Sequence, residues 1–183
     1  MSKVIGFLGS PRKNSNTNKL VNKVLEGAKS AGAEVIVYNL NEEGIKGCQG
    51  CYYCRAHEGC SNNDKLQSMY PALKEADGIA AGFPIFFHNI GGQSKQWIDR
   101  MFPMINGDFS PRYPGKKVVT AYAQGNPDED MFKNAIEAND QIFKAFGWDV
   151  IESLLSYGSN DPQSEIPQVL LDRAYEAGKA LVS

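Results

Sequence analysis

Short apolar runs alternate with longer segments whose apolar residues recur every three or four positions, and the alternation continues along all 183 residues. The runs at 4–8, 34–38, 78–83, 117–123 and 150–154 predict five strands, each rich in Val, Ile, Ala or aromatic residues and bounded by Gly, Pro or Asn. Helical spacing occupies 17–31, 65–75, 92–101, 130–146 and 167–182, as Leu20, Val24 and Ala28 illustrate. Strands and helices alternating in this way predict an open, doubly wound, parallel α/β sheet with helices on both faces. Ligands of such sheets sit beyond the carboxyl ends of the strands, so the loops that follow strands are where function belongs. One well-buried core is expected over 1–183, a length too short for two ordinary domains. Only 44–64 breaks the rhythm, and an aperiodic loop of that length inside a compact domain points to function.

That loop holds all four cysteines, Cys48, Cys51, Cys54 and Cys60, spaced C-x2-C-x2-C-x5-C. A short turn aims thiolates three residues apart at one centre, as in iron-sulfur ligation. A tetrahedral zinc site needs the same ligands but takes them as two separated pairs, so the packed spacing favours a cluster, with zinc or free thiols as rivals. His57 lies between the last two cysteines and is either a substitute ligand or an exposed loop histidine. Tyr52 and Tyr53 suit a shield against water or a contact with a partner chain.

Charge narrows the field. With 19 Lys and Arg against 21 Asp and Glu, and no basic run longer than Lys116-Lys117, nothing is provided to neutralise a nucleic-acid backbone. No apolar run approaches the ~18 residues of a membrane span. The start, Met1-Ser2-Lys3 and then a short apolar run, lacks a secretory signal. A cytoplasmic protein is expected, where clustered thiols bind metal or do redox work more often than they form disulfides.

After the first strand, residues 9–18 crowd hydroxyls, amides, Arg12 and Lys13 ahead of a helix. Backbone amides at a helix start and the helix dipole favour a phosphate there. Neither a Walker A ending nor a dinucleotide fingerprint is present, and Ser15 or Asn16 would equally serve as an ordinary N-cap.

Three segments together, Gly9-Ser10-Pro11-Arg12-Lys13-Asn14-Ser15-Asn16-Thr17, Gly82-Phe83-Pro84-Ile85-Phe86-Phe87-His88-Asn89-Ile90-Gly91-Gly92 and Lys95-Gln96-Trp97-Ile98-Asp99-Arg100, resemble the flavodoxin-like NADPH-dependent FMN reductases. With the cysteine run placed after the second strand, the chain resembles that family's iron-sulfur flavoprotein group. The resemblance implies a flavodoxin-like fold of strand order 2-1-3-4-5, bound FMN, and a homodimer or homotetramer whose subunits help wall the flavin. It implies FMN phosphate contacts from Ser10, Arg12, Ser15, Asn16 and Thr17, and ring and ribityl contacts from Pro84, Ile85, Phe86 and Phe87. It also implies a 4Fe-4S cluster on the four cysteines, although ferredoxins have three residues before the last cysteine and a proline after it, where this chain has five and Ser61.

Position adds Asn89 as a polar contact and Gln124 and Gly125, with Asn126, as a third loop over the crevice, a stretch that also reads as a plain turn. Phe86 and Phe87 have an alternative reading as core aromatics, and His88 as a surface residue rather than a proton donor. Asp99-Arg100 should form an ion pair or brace a neighbouring loop, and Trp97 and Trp148 should lie in the core or at a subunit interface. The function expected is an FMN oxidoreductase taking electrons from NAD(P)H or a ferredoxin-like donor and passing them to a quinone, flavin or other small acceptor. The cluster would act as relay, and no side chain is needed as nucleophile or general base. The rivals are an electron carrier without its own substrate and a zinc-binding regulatory α/β domain.

Overall fold

A computed structural model describes residues 1–160 and 164–183. In chain order the elements are β1 (Lys3–Leu8), α1 (Asn16–Ser30), β2 (Glu34–Asn39), α2 (Tyr53–Ala56), α3 (Met69–Glu75), β3 (Gly78–Phe86), β4 (Asn89–Ile90) and α4 (Gly92–Asp99). A 3₁₀ turn (Phe102–Met104) then precedes β5 (Lys117–Ala123), α5 (Lys133–Ala145), β6 (Asp149–Ser156) and α6 (Gln168–Ala180). The five long strands are parallel in the order β2-β1-β3-β5-β6, with Val4 beside both Val35 and Gly78 and Lys117 beside both Gly78 and Asp149. This is the flavodoxin-like order expected, with one addition. The two-residue β4 pairs antiparallel with the end of β3, so the expected fourth and fifth strands are β5 and β6.

The alternation of side chains across the sheet sorts the core into two layers. Val4, Ala80, Val119, Ala121 and Leu154 meet α1 and α6 on one face, while Phe7, Phe83, Val118 and Tyr122 meet Trp97, Phe143 and Trp148 on the other. Central strands covered on both faces are mostly apolar along their length, which is why β1, β3 and β5 read as near-continuous runs and the edge strands β2 and β6 do not. Trp97 and Trp148 are core residues, as one of their expected readings held; Trp97 lies 4.3 Å, ring to ring, from Phe7.

Helix α1 rests on α6 with almost no gap. A methyl on Gly27 would come 1.9 Å from the Tyr175 carbonyl oxygen, and one on Gly178 would come 1.9 Å from that of Val24. Only glycine at both positions lets the two backbones approach so closely. Among the described residues no helix is long and apolar enough to cross a membrane.

Candidate functional site

The carboxyl ends of β1, β3, β5 and β6 surround one cleft of about 440 Å³. The loop into it starts at Gly9, just before the lining residue Ser10, where a Cβ would fall 2.0 Å from the Gly82 carbonyl oxygen and 2.2 Å from Ser94 Oγ. Glycine there lets the loop lie flat against the end of β3 before turning into α1. Ser15 is the N-cap of α1, its Oγ accepting the Asn18 N–H at 3.1 Å. Asn18 fixes the loop from inside: its Nδ2 donates to the carbonyls of Ser10 and Arg12 at 3.4 and 3.1 Å, and its Oδ1 accepts the Ser10 N–H at 3.4 Å. The loop is thus both a capped helix start and a shaped concavity, with the cation of Arg12 at its rim.

Every expected FMN contact lines this cleft except Asn89, whose Oδ1 instead accepts the N–H of Ile90 at 2.9 Å. The core-aromatic reading of Phe86 and Phe87 is corrected: Phe87 is fully exposed and Phe86 about half so. They sit on a tight hairpin between β3 and β4 whose central residues, Phe87 and His88, have φ of 47° and 62°. Two non-glycine residues in that region carry backbone strain. The hairpin is held by the Gly91 N–H donating to the Pro84 carbonyl at 2.8 Å and by the ring of His88 edge-on to Phe132 at 4.7 Å. His88 itself does not line the cleft.

Two buried polar atoms in the wall have no partner, Thr17 Oγ1 and Gln124 Oε1. The Gln124 amide nitrogen is already committed to the carbonyls of Asn126 and Asp128, at 3.3 and 2.6 Å. Buried polar groups are nearly always satisfied, so orphans lining a cleft mark where a ligand's polar atoms belong. Phe132, Ser159 and Asn160 also line the cleft and were missed in the sequence. The rule that ligands sit beyond strand ends, applied to the fifth long strand as it was to the fourth, would have found Ser159 and Asn160.

A second, smaller cavity of about 180 Å³ is lined by Cys48, Cys51, Cys54 and Cys60 together with Tyr52, Tyr53 and Phe102. That volume is several times the ~30 Å³ share of one liquid water. Cys48 and Cys51 are exposed and Cys54 buried. A tetrahedral zinc site brings sulfurs to about 3.8 Å of one another, and among the described residues no three His, Cys, Asp or Glu side chains are gathered closely enough to hold a single ion. Cys51 Sγ lies 3.1 Å from Ser61 Oγ, and the hydroxyl and then the Tyr53 amide hold its thiol below the ordinary range. Burial pushes the Cys54 thiol up. His57 is outside the cavity, its ring stacked on Tyr53 at 4.1 Å and its Nδ1 3.0 Å from the Tyr53 carbonyl oxygen. Tyr52, 71% exposed with φ of 58°, and Tyr53 form the outer lip. Asp99 pairs with Lys95 at 2.6 Å, and Arg100 turns inward to a buried Asp64 at the same distance.

Residues 2–148 match the family model described as NADPH-dependent FMN reductase. An iron-sulfur flavoprotein of Methanocaldococcus jannaschii is 34% identical over 160 residues, which cover 87% of this chain and 78% of that protein. An iron-sulfur flavoprotein of Methanosarcina thermophila is also 34% identical, but over 98 residues, 54% of this chain and 51% of that one, so the chain spans about half the length of such relatives. Among solved structures, the NAD(P)H:quinone oxidoreductase from Methanothermobacter marburgensis superposes with a TM-score of 0.74 over 98% of both chains at 17% identity. The FMN-dependent NADH-azoreductase of Bacillus anthracis, in complex with FMN, gives 0.74 over the whole of both chains at 15% identity. These two likenesses establish the fold. The match across four-fifths of the sequence establishes the kinship: the chain belongs to the NADPH-dependent FMN reductase family, and its class is that of an NAD(P)H-dependent flavin oxidoreductase.

Proposed function

We propose that the chain, acting as one unit over 1–183, passes electrons from NAD(P)H or a reduced ferredoxin-like protein through FMN to a quinone, flavin or other small acceptor, with a 4Fe-4S cluster as relay. The observation that carries the reading is the pair of orphaned polar atoms, Thr17 Oγ1 and Gln124 Oε1, in a cleft with a helix N-terminus at one end and exposed aromatic surface at the other. A phosphate at the α1 end would take N–H donors of the loop, the hydroxyls of Ser10, Ser15 and Thr17, the Asn16 amide and the charge of Arg12. Pro84, Ile85, Phe86 and Phe87 offer flat apolar surface to a heterocycle, and Gln124 and Gly125, just after β5, line the same cleft. FMN bound there supplies hydride acceptance and release of electrons singly or in pairs, so the side chains need only hold, orient and partly shield it.

A four-iron cluster is larger than one ion and takes four thiolates, and Cys48, Cys51, Cys54 and Cys60 all line one cavity. Amides and hydroxyls near the sulfurs, such as the Gly50 N–H 3.5 Å from Cys48 Sγ, suit bound thiolates. The fully exposed Phe87 beside the flavin cleft suits a homodimer or homotetramer in which a neighbouring subunit completes the wall, and the cytoplasm is the compartment where such a loop stays reduced.

The deciding experiment measures FMN, iron, zinc and labile sulfide per chain on anaerobically purified protein, then NAD(P)H consumption with a quinone. One FMN beside about four irons and four sulfides, with steady turnover, is the expected result. A colourless protein would overturn the reading. Flavin reduced only through a partner protein would make the chain a carrier.

A further inference from the structure

The three peptides that lead the chain to Cys48 are held by side chains rather than by any strand or helix. Asp64 and Arg100, with side chains 3% and 0% exposed, hold the central residue, Lys46, and Gln96 and Asn62 hold its neighbours. The Lys46 N–H donates to Asp64 Oδ2 at 3.0 Å, while the carbonyl on the other side of the same peptide, that of Ile45, accepts from Gln96 Nε2 at 3.1 Å. The next carbonyl, of Lys46, accepts from Arg100 Nη1 at 2.7 Å, and the next, of Gly47, from Asn62 Nδ2 at 3.0 Å. Arg100 grips Asp64 with both terminal nitrogens, at 2.6 and 3.1 Å, and its Nε donates to Tyr70 Oη at 3.1 Å. The Tyr70 hydroxyl in turn donates to the Arg100 carbonyl at 3.1 Å. Asp64 Oδ1 also accepts the Leu66 N–H at 3.0 Å, so the carboxylate takes four donors.

The bonds from Ile45, Lys46 and Gly47 join the two ends of the cysteine loop to each other or to Gln96 of α4 and Arg100 at its C-cap, Tyr70 ties Arg100 to α3, and none of the set uses a sulfur atom. A guanidinium bound on both edges fixes direction as well as distance, which a lysine or a hydrophobic contact would not. A buried ion pair adds little net stability compared with well-packed apolar residues, so stability alone does not account for it; orientation of the pinned peptides does.

We infer that Arg100 and Asp64 form a metal-independent clasp that presets the path of the chain into Cys48 and closes the base of the cysteine loop, which makes Arg100 a positioning residue for the ligand set. The inference rests on the reading that the four cysteines hold a cluster. It departs from the usual behaviour of small metal sites, which order only when the metal binds. The loop is shaped before the iron arrives, so the cluster can be lost and rebuilt without refolding of the domain.

The test compares the full chain with the double variant Arg100→Met/Asp64→Leu, which removes both charges together and leaves neither buried alone. Backbone hydrogen exchange is followed on protein freed of metal by chelation, and FMN, iron and sulfide are counted before chelation. In the metal-free wild type the Lys46 and Leu66 amides are expected to be protected. In the variant they should exchange faster by about tenfold or more, while amides of β1, β3 and β5 and the FMN content stay as in the wild type. Iron and sulfide per chain should fall with them. A Lys46 amide that exchanges as freely as an unfolded one in the metal-free wild type would overturn the inference, and so would a variant that keeps full iron and sulfide. If the wild type itself carries no iron and sulfide, the cluster reading fails and the exchange measurement alone decides whether the clasp exists. If the double variant loses FMN and strand protection together, Asp64→Asn, which keeps size and shape, replaces it in the same comparison.

Discussion

Replacing Thr17 with valine should move two properties of the protein in opposite directions. Thr17 is 1% exposed and its Oγ1 has no partner, while its Cγ2 packs where β3 passes, close enough that a Cβ on Gly82 would meet it at 2.8 Å. Valine keeps the shape and both branches and removes only the hydroxyl. A buried hydroxyl without a hydrogen bond costs on the order of 1–3 kcal/mol, so the flavin-free variant should be more stable by about 1 kcal/mol. For a chain of this size that is a rise in Tm of roughly 2–4 °C. The same hydroxyl is assigned to the FMN phosphate, and a hydrogen bond to a charged group contributes about 1.5–3 kcal/mol. FMN affinity should therefore fall by roughly ten- to a hundredfold. Thermal unfolding of flavin-free protein gives the first quantity and quenching of flavin fluorescence on titration gives the second, with Thr17→Ser as the control that restores binding. A variant that unfolds earlier without flavin and binds FMN as well as the wild type would refute the assignment of the cleft.

Cys51→Ser should abolish iron and sulfide and leave the FMN stoichiometry intact, because the two cavities share no lining residue; iron analysis beside the flavin spectrum checks both halves. Gly9→Ala should lose FMN and a few degrees of Tm together, since its methyl must displace backbone at Gly82; a flavin-replete variant of normal Tm would contradict the close approach. Burial raises the Asp140 carboxyl above its ordinary 3.8, although Tyr122 Oη donates to it at 2.6 Å. A group whose folded value is raised favours the fold below its unfolded value and loses that contribution as pH climbs through the folded one. Asp140→Asn, which keeps the acceptor oxygen, should therefore be more stable than the wild type at neutral pH, with the gap closing in acid. Denaturant midpoints across pH check this, and a constant gap would argue against it.

What the sequence made legible follows from how local each signal is. The three central strands are covered on both faces, so they stand out as mostly apolar runs and their places in the chain could be anticipated, whereas their order came only from the family resemblance. The loop proposed to take a phosphate stood out because hydroxyls, amides and a cation cluster within ten residues of a helix start, and it lines the cleft. β4 was invisible: two residues carry no period, and its turn uses Phe87 and His88 where a tight hairpin normally announces itself with Asn or Gly. The expected helix at 65–75 begins as separate turns and becomes α3 only at Met69, because Asp64 accepts the Leu66 N–H and draws the chain toward Arg100. That partnership spans 36 residues and depends on where α4 ends, which no periodicity reveals; an ion pair or brace at Asp99-Arg100 was foreseeable, its partner was not.

The contact between Gly27 and Gly178 ties two parts of the chain that the family match does not hold together. The family match ends at residue 148, yet α1, whose start lines the cleft, is backed by a helix that starts twenty residues beyond that point. A single methyl at either glycine would wedge the two helices apart, so the seating of the helix that opens beside the cleft depends on a stretch of chain beyond the shared family segment, the same stretch that brings Ser159 and Asn160 into the cleft wall.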